Sequence, residues 1–146
     1  MNPREVLLVA NVTATWPALA TRVKAMMAEA PTRFTLLVPA STTSEERTLT
    51  WEESEVWHRA EVQMQRAVEQ LGALGAEIEG VVGDPDPMNA VRDLLLTRRF
   101  DLLVVSTLSE RRSPWIGASL PERLSRETGL DVIHVVNYEE HAPAPA

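Results

Sequence analysis

The chain has 146 residues, 45% hydrophobic and 24% charged, which suits one globular domain whose core needs no cross-link. It contains no cysteine, so disulfides, thiolate nucleophiles and cysteine-ligated metal or iron–sulfur sites are excluded together. Lys and Arg total 14 against 21 Asp and Glu, a net charge of −7, which argues against nucleic acid as a partner because phosphate neutralisation needs a dominant basic surface.

The first β-type run is Glu5–Ala10. Its apolar part is far too short to span a membrane and follows Arg4-Glu5, so neither a targeting signal nor a membrane partner is expected, and the location read from the sequence is cytoplasmic. A first helix follows, with Leu19, Val23 and Met26 as its apolar stripe. Phe34–Val38 is the second strand, and residues 39–49, rich in Thr and Ser, read as a polar loop. The second helix starts at Thr50, whose hydroxyl forms a capping box with Glu53. Val56, Ala60, Ala67, Leu71 and Leu74 give it one buried face. The third strand, Glu77–Val82, alternates in part and reads as an edge.

Asp86 caps the third helix and Pro87 takes its first position, with Arg98-Arg99 at its end complementing the dipole. Leu102–Val105 is the fourth strand. A fourth helix covers residues 118–127, carrying Glu122–Arg126 and Arg123–Glu127 pairs on a solvated face. Val132–Val136 is the last strand, and residues 137–146, ending Ala-Pro-Ala-Pro-Ala, form a flexible tail. Strands that alternate with helices imply a parallel, right-handedly wound sheet with helices on both faces, in one domain over residues 1–136.

Three stretches resemble the universal stress protein family. They are the first strand running into Asn11-Val12-Thr13, the Gly83-Asp84-Pro85 step, and the segment from Phe100-Asp101-Leu102 through a loop and helix to Gly129-Leu130-Asp131-Val132-Ile133-His134-Val135-Val136. The resemblance implies a Rossmann-like, adenine nucleotide α-hydrolase-like sheet in the order 3-2-1-4-5. Ligands of such a sheet bind between strands 1 and 4. ATP-binding members of the family carry an Asp at the end of strand 1. After strand 4 they carry two glycines three apart, and then a Gly-Ser or Gly-Thr. Here Asn11 replaces the Asp, and Ser106 and Ser109 replace the glycines. Gly117 follows at a shorter spacing, ahead of Ala118 and Ser119. The resemblance therefore points to the branch without an intact ATP motif, and no cofactor is expected, neither ATP nor AMP.

The candidate crevice is formed by Asn11, Val38, Ser106, Ser109, Arg111, Gly117 and Ser119. Trp16, Trp51 and Trp115 follow strands 1, 2 and 4, on the side where such a crevice opens. They either fill it or stack on a planar ligand. Trp57 reads as helix packing. Arg111 and Arg112 offer a guanidinium fork beside several hydroxyls. His58, His134 and His141 have no partner at a spacing that suggests a triad or metal site. Asp84 and Asp86 read as capping residues, so no catalytic residue, metal site or enzymatic activity is expected.

In the order 3-2-1-4-5 the last strand is an edge, and Val132-Ile133-His134-Val135-Val136 is free of acidic and basic residues other than the histidine. An apolar edge invites pairing, so a homodimer through this strand is expected, with Val135→Lys as the substitution that separates it. The functional expectation is a stress-related regulatory or protective dimer acting through a protein partner. The alternative is a sensor of a nucleotide or other phosphorylated metabolite.

Overall fold

The computed structural model describes residues 2–40, 50–109, 120–138 and 141–142, with side chains of the second helix from Glu55 onward. Five strands, β1 (Arg4–Val9), β2 (Thr32–Pro39), β3 (Glu77–Gly83), β4 (Leu102–Leu108) and β5 (Asp131–Asn137), form one sheet in the order β3-β2-β1-β4-β5. Each neighbouring pair is parallel. The helices are α1 (Pro17–Glu29), α2 (Thr50–Ala73), α3 (Pro87–Leu95) and α4 (Leu120–Thr128).

Strand alternation divides the core into two layers. Val6 and Leu8 of β1 join Leu19, Val23 and Met26 of α1 and Val56, Ala60, Ala67 and Leu71 of α2. Leu7 and Val9 turn the other way, onto Met88 and Val91 of α3 and Leu120 and Leu124 of α4. A strand covered on both faces reads as an unbroken apolar run, because every side chain along it is buried. Each such aliphatic side chain contributes about 1.5–3 kcal/mol of transfer free energy.

Several local expectations are corrected. Leu74 is 40% exposed, because α2 ends at Ala73 and the chain turns away there. Trp57 is likewise 42% exposed rather than packed. Arg98 lies beyond the end of α3 and pairs with Glu79 of β3 instead of capping its own helix. Glu127 is gripped by Arg92 of α3, with Arg92 Nε donating to Oε2 at 3.0 Å and an Arg92 terminal nitrogen donating to Oε1 at 2.8 Å. That contact ties α4 to α3, where the helix pattern alone paired Glu127 with Arg123. The last strand runs one residue into the expected tail, and Asn137 is buried at its end. Of the polar loop expected over residues 39–49, Pro39 instead ends β2, while residues 41–49 and the capping box at Thr50 lie outside the described side chains.

Asp86 caps α3 as its sequence implies, its carboxylate accepting the Met88 N–H at 2.8 Å. Gly129 closes α4 with φ +72°, a left-handed conformation in which a side chain is strained.

The two sheet edges differ. On β3, Glu77 receives the Arg33 Nε at 2.9 Å, and Arg33 also bonds Glu5 at 3.0 Å, bridging β1, β2 and β3 in register. The Glu77 hydrogen bond, and then the Glu5 charge, raise the Arg33 pKa. With Arg98 on Glu79 as well, β3 is a charged edge. Between Asp131 and Asn137, β5 carries Val132, Ile133, His134, Val135 and Val136, with no Asp, Glu, Lys or Arg among them.

Candidate functional site

The position expected for the crevice is where β1 and β4, neighbours in the sheet, reach their carboxyl ends. β1 leaves the sheet through Asn11 into a short 3-10 turn, Val12–Thr15, before Trp16 and Pro17 open α1. This turn was not visible in the sequence. It positions Thr13 against β4, with the Thr13 and Ser106 hydroxyl oxygens 2.7 Å apart. Ser106 was expected in a loop. It is instead a strand residue paired opposite Val135 and only 1% exposed.

A third polar group completes the cluster. The Asn137 side-chain amide donates to Ser106 Oγ at 3.0 Å and to the Thr107 carbonyl at 2.8 Å. The Thr107 carbonyl only accepts, so it fixes which way the amide faces. The Thr107 hydroxyl turns to the other side, 2.7 Å from His134 Nε2. Thr13, Ser106, Thr107 and Asn137 are all buried. Buried hydroxyls are affordable only when hydrogen-bonded, and here they bond to one another.

Asn11 is held from two sides. Its side-chain amide donates to the Pro39 carbonyl at 2.8 Å, tying the end of β1 to that of β2. From α2, Gln63 Nε2 reaches the carbonyls of Asn11 and Val12 at 3.1 Å each and approaches the Thr15 hydroxyl at 3.5 Å. Gln63 was missed in the sequence although a signal existed. It occupies the stripe position between Ala60 and Ala67, where the helix period calls for an apolar residue.

Of the expected crevice residues, the structure brings Asn11, Val38 and Ser106 to one end of the sheet. Val38 is fully buried and Ser109 half-buried. Trp16 is half-buried at the start of α1. Arg111, Arg112, Gly117, Ser119, Trp115 and the Trp51 side chain lie outside the described residues. Chemically, the site presents hydroxyls and an amide nitrogen bonded to one another, while Asn137 Oδ1 is buried without a hydrogen-bond partner among the described residues. Among the described residues no group of three or more His, Asp or Glu side chains is placed to hold a metal ion. Nor is any described helix long and apolar enough to cross a membrane.

Sheet order defines a doubly wound α/β protein whose switch point falls between β1 and β4. The fold is that of the universal stress proteins. A universal stress protein solved in complex with cAMP matches at 19% identity over 90% of this chain and 96% of that one, with a TM-score of 0.62. A universal stress protein from Archaeoglobus fulgidus matches at 15% identity over 92% of this chain and 99% of that one, also with a TM-score of 0.62. At these identities the likeness is one of fold. No protein-family model matches the sequence, and no curated protein matches it.

Proposed function

We propose that the chain is a universal stress protein-like homodimer with a regulatory or protective role under stress. In this reading it acts through protein contacts, without catalysis and without binding ATP. The observation that carries the reading is the closed cluster at the crevice. Ser106, standing where ATP-binding members of the resembled family carry a glycine, is buried and hydrogen-bonded to Thr13 and Asn137. A phosphate entering there would have to break bonds the protein already makes, and it would lack the backbone freedom that glycine supplies. Support for the dimer comes from the contrast between the charged β3 edge and the uncharged centre of β5.

The test has two parts. A thermal-shift screen with ATP, ADP, AMP and cyclic nucleotides, with and without magnesium, should leave Tm unchanged. A saturable rise would overturn the ATP-independent reading, since ligand at a hundred times its Kd adds about 2.7 kcal/mol. Sedimentation should give a dimer that His134→Glu converts to a monomer, because His134 is exposed at the midpoint of β5 and the change sets two carboxylates near one dyad. An unchanged mass would remove the β5 interface. Val135→Lys does not serve here: Val135 is 7% exposed within the protomer's own core, so a lysine there costs folding itself.

A second reading, a small-ligand sensor, draws on the neighbour solved with cAMP and on the Asn11 side-chain oxygen, which suits a ribose hydroxyl donor. A saturable Tm rise with one nucleotide, lost on Asn11→Leu, would select it.

A further inference from the structure

We propose that the Met64 thioether is a site of reversible oxidation by peroxides, through which α2 loosens its hold on β3 and on the turn after β1. With no cysteine in the chain, thioethers are its only sulfur groups. Met26 and Met88 are fully buried, whereas Met64 is half-buried beside the edge strand β3. Its sulfur is seated directly on the strand backbone. A Cβ built on Gly80 would lie 2.2 Å from Met64 Sδ and 2.5 Å from its Cγ, so the strand carries glycine where the sulfur sits. Val68 closes the same space from the next turn of α2.

The reaction transfers one oxygen atom. The sulfur lone pair attacks a peroxide oxygen, the S–O bond forms as the O–O bond breaks, and the sulfur is oxidised by two electrons. The departing oxygen leaves as water after taking up the proton released from the transferred oxygen. A methionine sulfoxide reductase reverses the change. The product carries a strongly polar oxygen into a contact lined by the Gly80 backbone and Val68, and drawing that oxygen out to solvent pulls the Met64 side chain, with the α2 turn that carries it, off β3. Gln63, the preceding residue, is the one that holds the Asn11 and Val12 carbonyls, so displacement at Met64 is felt at the crevice. Met27 is also half-buried, but it lies on α1 and serves as the internal control.

The experiment treats the full chain with hydrogen peroxide and follows each methionine by peptide mass spectrometry, alongside Tm and amide hydrogen exchange. Met64 should oxidise about tenfold faster than Met26 and Met88. Tm should fall by about 5 °C in step with it, with faster exchange at Gly80–Val82 and Asn11–Thr15 and recovery on reductase treatment. Met64→Leu, a volume-conserving change, should remove the Tm loss, while Met27→Leu should not. The proposal is overturned if Met64 stays reduced while Met27 oxidises, if oxidised Met64 leaves exchange at both segments unchanged, or if Met64→Leu remains equally sensitive.

Discussion

The hydroxyls of Thr13 and Ser106 meet at 2.7 Å across 93 residues of chain. One stands on the turn that leaves β1 and the other within β4, so the bond joins the two strands that flank the switch point of the sheet. Asn137 extends it to β5. Three carboxyl-terminal strand ends are thereby fastened to one another by side chains.

A double-mutant cycle measures that fastening. Thr13→Val and Ser106→Ala should each cost about 1–2 kcal/mol in urea unfolding, and together less than their sum, with a coupling of about 1 kcal/mol. Strict additivity would mean the two hydroxyls do not stabilise one another.

Asn11→Asp restores the acid that ATP-binding members of the resembled family carry, at the expense of the amide donor to Pro39. A carboxylate facing a carbonyl oxygen should cost about 1–2 kcal/mol at neutral pH. It should bring no ATP-dependent rise in Tm, because Ser106 remains engaged. A gain of ATP binding from this one change would show that the cluster at Ser106 is no barrier.

Gln63→Leu exchanges a clamp for an ordinary apolar stripe residue. Amides of Asn11–Thr15 should exchange faster, and stability should fall by about 1 kcal/mol despite the added apolar surface. Unchanged exchange would assign the turn's order to Thr13 alone.

Two glycines of β3 should respond differently to alanine. At Gly80 the obstacle is the flexible Met64 side chain, whereas a Cβ at Gly83 would lie 2.9 Å from both the Ala90 Cβ and Leu37 Cδ1. Ala90 has no rotamer to change, so Gly83→Ala should cost about 2–3 kcal/mol and Gly80→Ala about 1 kcal/mol or less. The reverse order in chemical denaturation would locate the tighter packing under α2.

The sheet was legible because its central strands are buried on both faces and leave continuous apolar runs. Their ends were not. Ser106 and Thr107 fall beyond the expected end of the fourth strand at Val105, yet they continue β4 in register with β5, their hydroxyls satisfied by Thr13, Asn137 and His134. Those partners lie 27 to 93 residues away, beyond any local pattern. The 3-10 turn was hidden for a related reason. Four residues are too few to show a period, and its order comes from Gln63 on another helix. Asn137 lies one residue past the expected end of the last strand at Val136, and its amide's bonds to Ser106 and Thr107 hold it in the sheet.

The inequality of the sheet's margins also bears on how large the proposed assembly can grow. A chain that could add strands at both margins would polymerise into a ribbon, each copy offering a fresh surface to the next. Here Glu77 and Glu79 are already matched to arginines of the same chain, so that margin holds no welcome for a strand from outside. If β5 pairs as proposed, growth ends at two copies, and a single charge placed on β5 should keep the second copy from joining.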